Sequence, residues 1–298
     1  MSKKAFFVTV YFLLFGRPII AQKPDSTLPK PNYRALHWIF AGETLAYAGT
    51  IYGLNQTWYK SPFGQFQFND DAHEWLQIDK MGHFFSAYQI CRHTAAVYKK
   101  TGISNKQAAL YGALSGFIFL TPIELLDGFQ YPEYGFSMSD MAANVLGPSL
   151  YLGQHALWGE ERIQPKWSFH YTSLAAQRPE LLGRTYGERW LKDYNGQTYW
   201  LSVNLSAFWP QSRLPKWLNV SLGYGIQNMV AAEVNKSKAL GFVPFRQYYL
   251  SLDVDFKRIK TRKKWLKTFL FMLNTLKIPA PTLEWNRRQG FVGHALYF

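Results

Sequence analysis

Apolar residues recur at helical spacing through the first half of the chain, and a period of two replaces that spacing in the second half. The first pattern predicts helices at about residues 33–54, 72–100 and 137–158, with another from about residue 104 to an interruption at Pro122. A shorter amphipathic helix is predicted at 179–192. Alternation predicts strands at 199–208, 217–226, 247–259, 282–285 and 291–298. The chain therefore reads as an α+β protein, with a helical bundle at 33–160 and a strand-rich region at 161–298.

The strands number five or six, fewer than the eight of the smallest outer-membrane barrels. The last run ends in Phe298, as the final strands of such barrels do. We expect a short antiparallel sheet packed on the bundle. None of the helices offers 20 uninterrupted apolar residues, so the bundle is either embedded in or apposed to a membrane, or soluble with an apolar core.

The N-terminus has the features of an export signal. Lys3 and Lys4 precede an apolar run at residues 5–15, and Ala21 provides a small residue at a cleavage point. We assign residues 1–21 to a signal peptide and 22–32 to a flexible leader. This predicts export to the periplasm or outer membrane of a Gram-negative-type envelope. Cys91 is the single cysteine, so neither an intrachain disulfide nor a lipid-modified cysteine after the apolar run is expected.

Charge and aromatic content point to lipid as a partner. The chain has 33 Lys+Arg against 19 Asp+Glu, and 18% of its residues are aromatic. We expect membrane lipids, and other envelope proteins, as partners. No nucleic-acid partner is expected, because the protein is exported and lacks a recognised reader motif. The clearest lipid-facing candidates form one basic segment, with a solvated loop as the alternative: Lys257, Arg258, Lys260, Arg262, Lys263 and Lys264.

Three polar sets interrupt the apolar helices. The first is Asp79 and His83, four residues apart and therefore on one helical face. Glu124 follows Pro122 in the next helix. Asp140 and Asn144 repeat the four-residue spacing in the last helix. We predict that these sets meet in one buried site, whose further members are Lys80, Asp127 and Gly147.

Several chemistries suit such a site. His83, Asp79, Glu124 and Asp140 could perform acid–base catalysis on a lipid or phosphate ester. A divalent metal is the alternative, with Asp79, His83, Glu124 and Asp127 as the candidate ligands. A proton or ion relay is a third possibility. The structural alternative is a hydrogen-bonded network that fixes helix packing, in which Lys80 neutralises a carboxylate.

The motif set resembles a known family. Asp79-Lys80-x-Gly82-His83-Phe84, Glu124-x-x-Asp127-Gly128 and Phe136-Ser137-x-x-Asp140-x-x-x-Asn144-x-x-Gly147 look like the YfiM-like family of predicted periplasmic lipoproteins, which has no established activity. The pattern is also similar to VanZ-like membrane proteins, which are small and helical. The resemblance covers residues 35–158 and implies a four-helix, VanZ-like bundle. It does not account for the strand-rich half.

We therefore expect a membrane-associated cell-envelope protein of unknown activity, built around the Asp/His/Glu/Asn site. One alternative is a hydrolase or transferase acting on a lipid or lipid-linked envelope substrate. Another is a structural scaffold of the envelope. Whether the protein is an enzyme stays open at this stage.

Overall fold

The computed structural model describes residues 31–57, 64–130 and 134–298. The predicted signal peptide and most of the leader lie outside these residues. The described chain is an α+β protein with the helices mainly in the first half and an antiparallel sheet in the second, as predicted.

Ten helices occur in the described residues. They are α1 (Tyr33–Thr57), α2 (Ile78–Lys99), α3 (Asn105–Asp127), α4 (Met138–Trp158), α5 (Leu174–Gln177), α6 (Pro179–Leu182), α7 (Tyr186–Lys192), α8 (Leu205–Phe208), α9 (Val234–Ala239) and α10 (Lys264–Leu273). Among them α3 alone is both long and apolar enough to cross a membrane, on the basis of length and composition.

Local sequence explains where the long helices begin. Ser104 caps α3 through a capping box, in which its hydroxyl accepts from the Gln107 backbone N–H and the Gln107 side chain accepts from the Ser104 N–H. Ser137 is the N-cap of α4, and its side-chain hydroxyl accepts a hydrogen bond from the Asp140 backbone N–H. The interruption predicted at Pro122 is wrong, because α3 continues through it to Asp127.

Glycines allow the long helices to pack closely. A Cβ at Gly112 or Gly116 in α3 would lie within 2.7 Å of α2 atoms at Cys91, and one at Gly147 in α4 would lie 2.6 Å from the Phe84 carbonyl oxygen. Helices α2, α3 and α4 thus form a tight three-helix core. Helix α1 packs on it along one face, where Leu36 joins a buried cluster with Tyr98.

The main sheet has six strands in sequence order, each antiparallel to the next. They are β3 (Ile163–Phe169), β4 (Gln197–Asn204), β5 (Leu218–Gln227), β6 (Phe245–Val254), β7 (Ala280–Asn286) and β8 (Gly290–Tyr297). A separate parallel pair joins β1 (Phe68–Asn69) to β2 (Phe136–Ser137). The sheet curls, since the Tyr297 hydroxyl at one edge reaches the Tyr249 hydroxyl at 2.7 Å and the Thr198 hydroxyl at 3.2 Å.

The inner face of the curled sheet is mostly polar, although Trp200 and Tyr249 are also buried there. One register row across four strands consists of Ser202, Ser221, Ser251 and Thr282, all buried. Beside it, Lys166 donates to Asp253 at 2.8 Å, and Ser202 donates to the same carboxylate at 2.6 Å.

The outer face is apolar, and much of it is exposed. The row next to the serines is formed by Leu201, Leu222, Leu250 and Leu283. A second row is aromatic and is formed by Tyr199, Tyr224, Tyr248, Trp285 and Phe291. On β6, Leu250 is 47% exposed whereas Ser251 is 4% exposed, and on β7 the values are 44% for Leu283 and 3% for Glu284. The polarity of the sheet is therefore inverted relative to one that packs its apolar face inward.

A buried ion cluster joins the bundle to the sheet. Glu161 lies between α4 and β3. Its carboxylate forms salt bridges with the Arg92 guanidinium at 3.1 Å and with the Lys257 ammonium at 3.0 Å. Arg258 pairs with Glu160 at 3.0 Å. Lys257 and Arg258 are therefore engaged with carboxylates within the protein, whereas the rest of the predicted basic segment is exposed: Lys260, Arg262, Lys263 and Lys264.

Several predicted boundaries differ from the structure. The helix predicted at 179–192 is split into α6 and α7, because Gly183 between them has φ of 104°. The strand predicted at 199–208 ends at Asn204, whose side chain caps α8. The strand predicted at 247–259 ends at Val254, and Asp255 caps the 3-10 turn Phe256–Arg258. Strand β3 was not predicted.

Candidate functional site

Three carboxylates surround the ammonium group of Lys80 at the start of α2. Its Nζ lies 2.7 Å from Asp71 Oδ2, 2.8 Å from Asp79 Oδ2 and 3.1 Å from Asp140 Oδ1. Lys80 and Asp140 are buried, and Asp71 and Asp79 are nearly so. The ammonium is thus fully neutralised within the protein, as a buried cation requires.

The short β1–β2 pair positions Asp71. Asn69 pairs with Ser137, so the chain after β1 lies beside the start of α4. The Asp71 Oδ1 atom accepts hydrogen bonds from the hydroxyls of Ser137 at 2.5 Å and Ser139 at 2.8 Å. Burial raises the pKa of Asp71, but the bonds from Lys80 and the two serines outweigh it, so the pKa is lowered overall.

His83 connects α2 to α3 and α4. Its Nδ1 lies 3.0 Å from Asn144 Oδ1 and 3.4 Å from Glu124 Oε1, and its Nε2 lies 4.0 Å from Asp140 Oδ1. Glu124 and Asn144 are buried, whereas the His83 side chain is 25% exposed. Solvent or a ligand can therefore reach the imidazole although its partners are enclosed.

Burial and mutual repulsion raise the pKa of most of these carboxyl groups. The pKa of Glu124 rises to about 9 because of burial, with repulsion from Asp140 and Asp127 adding to it. Burial raises the pKa of Asp79 to about 6 despite the adjacent Lys80. Burial also raises the pKa of Asp140, and attraction to the neighbouring cationic groups only partly offsets it. The cluster therefore holds more carboxylate than its own cations neutralise, which favours the uptake of protons or of a cation.

The predicted site residues divide into groups. His83, Glu124, Asp140 and Asn144 come together, and this arrangement permits proton transfer or metal ligation at the imidazole. Asp79 lies with Asp71 around Lys80. Asp127 is one turn from Glu124, and repulsion between the two carboxylates raises the pKa of Glu124. Gly147 lies where α4 contacts α2. The catalytic and metal-binding roles of these residues stay predictions.

An apolar cavity of about 450 Å³ adjoins the cluster. Its walls come from α2, α4 and strands β3, β4 and β5, with Phe85, Leu146 and Leu222 among the lining residues. It meets the polar cluster at Lys80 and Ser139. The cavity has room for an apolar part of a substrate. Hydrolysis or transfer on a lipid-linked substrate stays a prediction.

Asp71, Ser137 and Ser139 belong to the cluster but were not predicted from the sequence to do so. The β1–β2 pairing brings Asp71 next to Ser137 and Ser139. Left-handed backbone at Trp75, Leu76 and Gln77 also separates Asp71 from α2, so helical spacing gives no relation between Asp71 and Lys80. The Ser-x-Ser-Asp sequence at residues 137–140 is the one local signal that could have been used.

Comparison with known proteins gives one result. Residues 67–152 match the model of a family described as predicted periplasmic lipoprotein (DUF2279). Searches of curated proteins and of solved structures found no match. The matched segment contains every residue of the polar cluster, and it supports the expected family of unknown function at this coarser level. It also confirms the predicted location: the protein is an exported protein of the periplasm or outer membrane.

Proposed function

We propose that this cell-envelope protein is membrane-associated, with the outer face of its sheet in contact with lipid acyl chains. The inverted polarity of the sheet carries the proposal. In a water-soluble protein, we would expect a sheet with these residues to bury the leucine and aromatic rows and to expose the serine row. An outward apolar face with a polar interior is the arrangement that lipid-facing strands adopt.

The aromatic row and the basic segment support the same orientation. Tyr248 and Trp285 lie in the row beside the leucine row, two residues along their strands, and such rings are enriched where the apolar core of a membrane meets its headgroups. In α10, Trp265 and Phe269 are exposed next to Lys263 and Lys264. A basic segment with exposed aromatic anchors suits a surface of anionic lipid.

The polar cluster is the proposed functional centre of this membrane-associated protein. It lies in the segment that matches the family model, whereas the sheet lies outside that segment. The bundle thus carries the shared chemistry, and the sheet supplies the lipid contact.

Extraction of membranes with alkaline carbonate tests the membrane association. We expect the full-length protein to remain in the membrane pellet, because its leucine row would be exposed to water on release. A peripheral protein held only by Lys260, Lys263 and Lys264 would be released at high salt and high pH. Complete release into the supernatant would contradict the lipid contact of the sheet.

A further inference from the structure

The imidazole of His83 and the carboxylate of Asp140 face each other across a gap. Asn144 Oδ1, an acceptor, lies 3.0 Å from Nδ1, so the tautomer with the proton on Nδ1 satisfies both groups and leaves the Nε2 lone pair available to a ligand. Nε2 lies 4.0 Å from Asp140 Oδ1, beyond hydrogen-bond distance. Two ligand bonds of about 2.0–2.2 Å each would close such a gap around one cation.

The third ligand is available from α3. One ligand atom each from His83, Glu124 and Asp140 can be chosen so that all lie within 4.8 Å of one another. The imidazole would be oriented through its opposite nitrogen by Asn144, an arrangement typical of histidine ligands. Three ligands from three helices leave further positions on a cation open to water, and the partial exposure of His83 provides a route of entry.

Two further observations favour a cation at this position. Asp71, Asp79 and Asp140 all contact the single Lys80 ammonium and Glu124 lies beside His83, so the enclosed cluster has more carboxyl groups than cations when His83 is neutral. The side-chain NH₂ group of Asn144, a fully buried residue, has no hydrogen-bond acceptor. Water or hydroxide bound to a cation would be an acceptor of the kind this group lacks.

The neighbouring group of carboxylates is not the place for the ion. Asp71, Asp79 and Asp140 also come within ligand distance of one another, but the Lys80 ammonium lies among them. A second cation there would meet that charge at close range, because all three carboxylates contact Lys80, whereas of the proposed ligands Asp140 alone does so, at 3.1 Å. The choice of ligands also restricts the metal, since imidazole with carboxylates suits Zn²⁺ or Mn²⁺ better than Mg²⁺ or Ca²⁺.

We propose that His83, Glu124 and Asp140 bind one divalent transition-metal ion, Zn²⁺ or Mn²⁺, with Asn144 as a positioning residue. This proposal is independent of the lipid contact of the sheet. It revises the ligand set expected from the sequence, with Asp140 in place of Asp79 and Asp127.

Titration calorimetry of the purified, chelator-treated full chain in detergent tests the site, using ZnCl₂ and MnCl₂ as probes. We expect saturable binding of one ion per chain. His83→Gln and Asp140→Asn should each weaken binding at least tenfold, given that even residues behind the ligands affect affinity by about 10–100-fold. His73→Ala is the matched control, because His73 is an exposed histidine of the same region, and it should leave binding unchanged.

The wild-type protein alone can overturn the proposal. Absence of saturable binding of both ions to the folded chain, checked by circular dichroism, would do so whether or not the variants fold. Binding that survives in both folded variants would place the ion elsewhere and would equally contradict the ligand set. Metal retained through purification and lost in His83→Gln would support it without calorimetry.

Discussion

At the scale of single residues, Gly147 decides how closely α4 approaches α2. A Cβ at this position would lie 2.6 Å from the Phe84 carbonyl oxygen and 2.8 Å from the Tyr88 backbone nitrogen. Both are backbone atoms, which cannot move aside as a flexible side chain can. The glycine thus permits the contact that holds Asn144 and Asp140, one and two turns earlier in α4, against His83.

Gly147→Ala should therefore lower the thermal stability of the protein in detergent. Overpacking of this kind costs about 1–3 kcal/mol. Gly153→Ala is the control in the same helix, since a Cβ there meets nothing within 4 Å. It should raise stability slightly through helix propensity, by up to about 1 kcal/mol. Equal melting temperatures for the two variants would show that the contact at Gly147 is not tight.

Residue spacing predicted part of the site. The four-residue spacing of Asp140 and Asn144 put both on one face of α4, and both do reach His83. The same logic grouped Asp79 with His83 because they too are four apart, yet Asp79 pairs with Lys80. Asp71 was not predicted to join the cluster, since it enters through a strand pair between segments far apart in sequence.

At the scale of elements, Glu161 joins the bundle to the 3-10 turn that follows β6. Arg92 of α2 and Lys257 both contact its carboxylate. Burial alone would raise the pKa of Glu161, but Lys257 and Arg92 outweigh it and lower the pKa to about 2. The ionised form is therefore favoured in the folded protein relative to the unfolded chain.

A depressed pKa stabilises the fold above the unfolded value and ceases to do so as pH falls through the folded value. The contribution of Glu161 is thus complete above about pH 4.5 and is lost toward pH 2, on the order of 3 kcal/mol in all. Glu161→Gln should flatten the fall in melting temperature across this window. Glu160→Gln, at the half-exposed neighbour, should retain it. Parallel curves for wild type and Glu161→Gln would contradict the assignment.

Periodicity predicted the elements better than their connections. The long helices and five of the six strands of the sheet were expected, because apolar positions repeat in them at the right interval. Strand β3 was not predicted, because Pro165, Lys166 and Trp167 interrupt the alternation of apolar and polar residues. The order of the strands and the burial of the serine row depend on contacts between distant segments, so local pattern could not supply them.

At the scale of the whole molecule, a polar cluster enclosed by helices lies beside a sheet whose apolar face is turned outward. The cavity between them is lined by Leu222 and Tyr224, which also belong to the leucine and aromatic rows. The lipid-facing surface proposed for the sheet is thus continuous with the edge of the polar cluster. Contact of this outer face with lipid is the central claim about the molecule.

A spin label at Leu250→Cys, in a Cys91→Ser background reconstituted into liposomes, tests that claim most directly. Leu250 lies in the middle of the leucine row, and a label at Leu240→Cys, an exposed position after α9, is the control. We predict that oxygen, which concentrates among acyl chains, relaxes the Leu250 label while a water-soluble nickel chelate does not. The Leu240 label should show the opposite preference. Access of the nickel chelate to Leu250 equal to its access to Leu240 would contradict the account.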